Sequence, residues 1–372
     1  MRDSRLDRLA EIFLTHSLTL EKGDGFLVSA STEAVPLVKA ILRKSAELGV
    51  YPVVELADEE VTRLRTGLFD PADPAAHAFL ESAVRWDEVR WQDLKGRIAI
   101  RGTVNAGELS DIPQERMKMV AAKNRPIQDL VINHRKWVLF DWPTRGMAQK
   151  AGMSYDRFFD YTMEVSDLDY ARLEAAETVL AGYLDRADQV RIEGPGTELS
   201  FSIAGIPTVC CCGRRNIPDG EVYTAPVEGT LEGVVTYNVP TVYWGRSFRN
   251  VRLEFRGGVI VASDCDGDKE ALQAILDSDP GARKIGEFSF GVNNAIREPI
   301  GNILFDEKIG GSFHLTPGAA YAKADNGNRS SIHWDLVSIQ RPEYGGGRIW
   351  LDGVLLREDG LFLPEDLLPL NP

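Results

Sequence analysis

The spacing of apolar positions changes character part-way along the chain. Between residues 2 and 15, Leu6, Leu9, Ile12 and Phe13 recur at helical intervals. Lys22-Gly23-Asp24-Gly25 is turn chemistry, and the run Phe26-Leu27-Val28-Ser29-Ala30 after it reads as a short buried strand. Ser31-Thr32-Glu33 supplies capping oxygens for a helix from Val35 to Leu48, Gly49 ends it, and Tyr51 to Glu55 reads as a second strand. Strand, helix, strand in succession implies parallel pairing and an α/β domain. The alternation continues with strands at 97–101 and 137–141 and helices at 112–122, 146–151 and 156–162. A long charged helix from Asp167 to Ala187 closes this half.

From Gln189 the texture shifts to short alternating segments bounded by turns, at 189–193, 198–203, 233–237, 251–255 and 258–262, with one helix at 269–277. These predict an antiparallel sheet or barrel. The expected fold class is α/β plus α+β in two domains. Residues 1–187 form an N-terminal α/β domain with parallel strands, and residues 188–372 a C-terminal β-rich, metal-binding domain.

Composition adds exclusions. Of 372 residues, 44% are hydrophobic and 26% charged, which is ordinary for a globular chain. A net charge of −14 argues against a nucleic-acid backbone or an anionic membrane as the main partner. There is no run of about 18 apolar residues and no leader-like apolar stretch at the start, so a cytoplasmic location is expected. Cys210, Cys211 and Cys212 are consecutive and Cys265 stands alone. That spacing fits no zinc knuckle, and the cysteines read as small buried residues. Neither G-x-G-x-x-G nor G-x-x-x-x-G-K-[ST] follows any strand, which leaves the first half as scaffold and not a nucleotide site.

Chemistry concentrates between Asp219 and Asp335, where two of the five histidines meet a spaced series of carboxylates. Glu221 and Glu287 each follow a glycine and precede an apolar residue, and Glu307 ends Leu304-Phe305-Asp306-Glu307. His314 follows Gly310-Gly311-Ser312-Phe313, Tyr321 lies seven residues on, and His333 and Asp335 are two apart, on one face if the segment is extended. Each has a plain structural reading: a core histidine bonded to a carbonyl, a tyrosine capping the core, a solvated carboxylate. As a set, imidazoles with carboxylates suit Zn²⁺, Co²⁺, Mn²⁺ or Fe²⁺. Several carboxylates are what a site of two ions about 3.5–4 Å apart needs to balance its charge.

Five blocks in order, Asn216 to Pro226, Gly286-Glu287, Leu304 to Glu307, His314-Leu315-x-x-Gly318-x-x-Tyr321 and Ser331 to Asp335, resemble the signature of the M29 metallo-aminopeptidases. The resemblance is strong over residues 190–360 and looser before them. It implies Glu221, Glu287, Glu307, His314, His333 and Asp335 as ligands of two divalent ions per subunit (Zn²⁺, Co²⁺ or Mn²⁺), with one carboxylate shared. It makes Glu287 and Tyr321 the catalytic candidates, Tyr321 as hydrogen-bond donor to an oxyanion. It further implies a homodimer acting on peptides with a free N-terminus. The stretch from Glu307 to His314 is two residues longer than in better-known members, and Thr316-Pro317 stands where the family usually has Ala-Leu. A different reading has His314, His333 and Asp335 as the facial triad of a mononuclear Fe(II) ring-cleaving dioxygenase of the dihydroxypyridine type, to which the family is similar. A third is a non-catalytic binding relative.

Overall fold

The computed structural model describes residues 3–372, so the first residue of the predicted N-terminal helix, Arg2, lies outside them. The chain forms two compact units, Met1–Asp167 with Gly213–Pro218, and Leu168–Cys212 with Asp219–Pro372.

In the first unit, strands Gly25–Ser31, Tyr51–Ala57, Leu94–Arg101, Lys136–Asp141 and Asn216–Ile217 form one fully parallel sheet. Their order runs from the edge strand Tyr51–Ala57 through Gly25–Ser31, Leu94–Arg101 and Lys136–Asp141 to Asn216–Ile217. Phe26, Val28, Ile98, Val138 and Phe140 are fully buried, as continuous apolar runs in a parallel sheet require. The helix Val35–Leu48 ends where Gly49 turns left-handed at φ +70°, as its sequence predicts.

Two helices were not foreseen, Glu59–Gly67 and Pro74–Asp93. Both start at an aspartate whose carboxylate accepts a first-turn N–H, Asp58 from Val61 and Asp73 from Ala75, and the second has proline just inside its start. The helix expected at 112–122 runs instead from Gln114 to His134, straight through Pro126. Among the described residues no helix is long and apolar enough to cross a membrane.

The second unit joins two antiparallel sheets. A nine-stranded sheet begins with the hairpin Gln189–Gly194 and Thr197–Ser202 and includes the long pair Arg246–Arg256 and Val259–Gly267. A five-stranded sheet runs in the order Leu336–Ile339, Ser312–Pro317, Ile285–Gly291, Glu221–Thr224, Val209–Cys211. Side chains from both meet in one hydrophobic core with the helices Tyr170–Leu184 and Lys269–Leu276. Phe201 of the larger sheet meets Phe288 of the smaller edge to face, centroids 5.1 Å apart. The smaller sheet therefore has one face given over to this core. Its other face carries the chemistry.

Candidate metal centre

The register of the five-stranded sheet decides which side chains meet. Gly291 pairs with Glu221, Ser289 with Tyr223 and with His314, and Glu287 with Thr316. Because side chains alternate along a strand, Val222, Phe288, Phe290, Phe313 and Leu315 enter the core while Glu221, Glu287, His314 and Thr316 share the opposite face. The alternation continues through the irregular segment before Leu336: Ile332, Trp334 and Leu336 are core residues, and His333 and Asp335 turn the other way.

Two glycines permit the approach. Gly318 sits at φ +114°, where an added Cβ would lie 2.1 Å from the carbonyl oxygen of Ile332, so any other residue would push away the segment that bears His333. Gly311, at φ +79°, lets the chain turn into the His314 strand.

The polar atoms converge closely. His314 Nε2 lies 2.9 Å from Glu287 Oε1 and 3.7 Å from Glu221 Oε2. His333 Nε2 lies 3.3 Å from Asp335 Oδ1 and 3.7 Å from Glu287 Oε2. Glu287 thus presents a different oxygen to each imidazole. One ligand atom from each of Glu221, Glu287 and His314 falls within 4.8 Å of the other two. His333 Nδ1 is 2.8 Å from the carbonyl oxygen of Ala319, which fixes a proton on Nδ1 and makes Nε2 the atom that faces the carboxylates. Thr316 Oγ1 donates to Asp335 Oδ1 at 2.7 Å.

Glu307 is held differently. It follows the short helix Ile303–Asp306, and its carboxylate is ion-paired with the ammonium of Lys308. That ammonium is fully buried and lies 3.9 Å from Glu221 Oε1. Tyr321 stacks at a tilt against His333, centroids 4.5 Å apart, and touches Tyr223 at 5.8 Å. It is 51% exposed, so one side of the ring remains accessible.

The electrostatics follow from crowding acids and imidazoles in a dry place. Burial opposes a charged His314, but Glu287, Asp335 and Glu221 outweigh it and lift its pKa to about 9. Burial likewise opposes charge on His333, and Asp335 and Glu287 raise it to about 10. Asp335 is held well below the usual carboxylate range, because the two imidazoles and Thr316 overcome its burial. Burial pushes Glu287 upward against the pull of His314. Partial burial at the hydroxyl end of the side chain and the field of Asp335, Glu287, Glu307 and Glu221 raise the Tyr321 pKa and keep the hydroxyl protonated.

Does this donor set suit a metal? Glu221 Oε2 and Glu287 Oε2 are buried and accept no hydrogen bond among the described residues. A carboxylate oxygen left so is costly unless a cation faces it. Buried oxygens beside two imidazole Nε2 atoms are the chemistry of a divalent-cation site, and the residues fit one.

A family model, thermophilic metalloprotease (M29), matches residues 2–343. The chain belongs to the M29 family. M29 relatives include aminopeptidase T of Thermus aquaticus, 28% identical over 96% of each chain. Among solved structures, wild-type AmpT from Thermus thermophilus superposes with a TM-score of 0.78 at 24% identity, over 97% of this chain and 99% of that one. The 2,5-dihydroxypyridine dioxygenase of Pseudomonas putida KT2440 shares the M29 chain's fold at a TM-score of 0.61 and 13% identity, over 98% and 99%.

Glu221, Glu287, His314, His333 and Asp335 therefore come together in this M29 chain, with Tyr321 against His333 and Glu307 at one side beside Lys308. Sequence reasoning passed over two neighbours. Thr316 shares the site face because it is two residues from His314 on one strand, and alternation alone predicts that. Lys308 gave no such signal, since a lysine after a glutamate is most often solvated.

Proposed function

We propose that this M29 protein is an aminopeptidase that removes N-terminal residues from peptides with a free α-amine, using two divalent cations per subunit (Zn²⁺, Co²⁺ or Mn²⁺). The observation that carries the reading is Glu287, whose two oxygens face two different imidazoles. Glu221 and His314 would hold one cation, His333 and Asp335 the other, with Glu287 shared. Glu307 becomes a ligand only if it exchanges Lys308 for a cation. Cations bound there supply Lewis-acid polarisation of the scissile carbonyl and lower the pKa of water.

The chain's own groups do the rest. Glu287 fixes the two imidazoles relative to one another. Thr316 orients Asp335, and the Ala319 carbonyl orients His333. Tyr321, kept protonated and accessible, donates a hydrogen bond to the oxyanion that develops when water adds to the carbonyl carbon. The C–N bond then breaks, and the proton given up by the attacking water goes to the departing amine. The resemblance to the family supports a homodimeric assembly for this aminopeptidase.

The dioxygenase reading is weaker. A one-iron triad of His314, His333 and Asp335 has no use for Glu221 and Glu287, yet both are buried against His314.

The test pairs elemental analysis with hydrolysis of leucyl peptides before and after chelation. We expect two ions per chain and activity that is lost to chelator and restored by Co²⁺ or Zn²⁺. If the metal-loaded protein released no amino acid from a broad peptide panel, the aminopeptidase reading would fall. One iron per chain with oxygen uptake on a dihydroxypyridine would put the dioxygenase in its place.

A further inference from the structure

The two halves of the metal centre face different surroundings. Around His333 and Asp335 the neighbours are a neutral hydroxyl, a backbone carbonyl and a tyrosine ring: Thr316, Ala319 and Tyr321. Around His314 and Glu221 there is a fixed positive charge. Lys308 is fully buried, its ammonium is paired with Glu307, and it lies 3.9 Å from Glu221 Oε1, while Glu221 Oε2 turns to His314 at 3.7 Å. One carboxylate, Glu221, is therefore shared between a lysine and the place where a cation would sit. Asp219, buried nearby, also feels the Lys308 charge.

A buried ammonium cannot leave for solvent without breaking its ion pair, which is costly in a dry site. It repels any cation on the far side of Glu221, and it withdraws electron density from the carboxylate that would bind that cation. Nothing comparable acts on the Asp335 side among the described residues.

We infer that the two cation positions are unequal and that Lys308 sets the difference. The ion held by His333, Asp335 and Glu287 is the resident one. The ion on the Glu221–His314 side is held more weakly and exchanges. Lys308 is thus a positioning residue acting through Glu221, and removing its charge should equalise the two positions. This inference rests on the metal-dependent reading above and deepens it.

The experiment is metal binding, independent of turnover. Full-length protein stripped by chelator is titrated with Zn²⁺ by calorimetry and with Co²⁺ by visible absorption, and stoichiometry is checked by elemental analysis after dialysis. For the unaltered chain we expect two steps with apparent Kd values at least about tenfold apart. In Lys308→Met the weaker step should tighten by about tenfold or more, with the tighter step moving less than about threefold. Lys308→Arg, which keeps the charge, should keep the split. Because Lys308→Met leaves Glu307 buried without its partner, the double variant Glu307→Gln/Lys308→Met serves where the single one fails to fold, with the same direction expected. One ion retained after dialysis by the unaltered chain, against two retained by the charge-removed variants, would support the inference. Equal affinities in the unaltered chain, or a split unchanged when Lys308 is removed, would overturn it while leaving the aminopeptidase reading intact. No divalent binding to any form would overturn both.

Discussion

Along the strand Ile285–Gly291, Phe288 and Phe290 turn into a hydrophobic core, and Glu287 turns to the opposite face with the two imidazoles. The two faces are almost equally dry: Phe288 is 0% exposed and Glu287 3%. What differs is how each is satisfied. On the core face, rings and branched side chains from two sheets fill space, as where Phe288 meets Phe201 and Phe290 at 5.1 Å each. On the site face, carboxylates and imidazoles answer one another's charge, and two oxygens remain without a hydrogen bond. A sheet that spends one face on packing can hold its other face rigid. That rigidity keeps five potential ligands in place without a flexible loop carrying most of them.

Substitutions on the two faces should therefore separate stability from activity. The largest expected effect is at Glu287. Glu287→Gln removes the carboxylate that both imidazoles share, and kcat/KM should fall on the order of 10³-fold or more, with metal stoichiometry reduced. At pH 10, where the imidazoles are largely neutral, the metal-free variant should unfold within a few degrees of the metal-free parent. Nearer pH 7 it should unfold lower, because His314 and His333 lose the carboxylate that answers their charge. A large drop at pH 10 as well would mean that Glu287 is structural and that the contrast between faces is false. One residue along, Phe288→Ala should do the reverse. Urea unfolding should show a loss of about 3–5 kcal/mol, while activity per folded molecule at low temperature changes little.

Tyr321→Phe probes the accessible edge of the site. Metal stoichiometry should be unchanged, and kcat should drop about 10²-fold with KM nearly constant, the mark of a contact made in the transition state. An equal loss in metal content would instead make Tyr321 a support for His333.

Much of this was legible in the sequence, for reasons that differ by element. The parallel strands of the first unit announce themselves as apolar runs framed by Gly49 and capping residues, signals that act over a few positions. The helices Glu59–Gly67 and Pro74–Asp93 were missed because their faces are weakly apolar, with Val61, Leu64, Phe79 and Trp86 exposed, though their Asp58 and Asp73 caps were there to read. The helix expected at 112–122 extends through Pro126 to His134. In the site, His333 and Asp335 could be placed on one face from spacing alone. The meeting of Glu287 with His314 depends on the register of strands 27 residues apart, which no local pattern encodes. The ion pair of Glu307 with Lys308 was hidden for another reason. Two adjacent charged residues look solvated in a sequence, and only tertiary burial turns them into part of a site.

The smallest expected effect compares the two faces through pH. Without metal, His314 and His333 have pKa values near 9 and 10, against about 6.5 in an unfolded chain. A folded state that holds protons more tightly than the unfolded one gains stability that is complete below pH 6.5 and disappears as pH rises toward 10. Glu287, also shifted upward, adds in the same direction at lower pH. The melting temperature of metal-free protein should thus fall by about 5 °C or more between pH 6.5 and 10. In His314→Gln the slope should flatten, whereas Phe288→Ala should lower the whole curve without changing its slope. Metal competes with these same protons, so loading with Zn²⁺ should strengthen as pH rises and release protons that calorimetry in buffers of different ionisation heat can count. A melting curve that rises with pH in the metal-free protein would show that the imidazoles are neutral there. The charge-answered face would then be a packed one like its opposite.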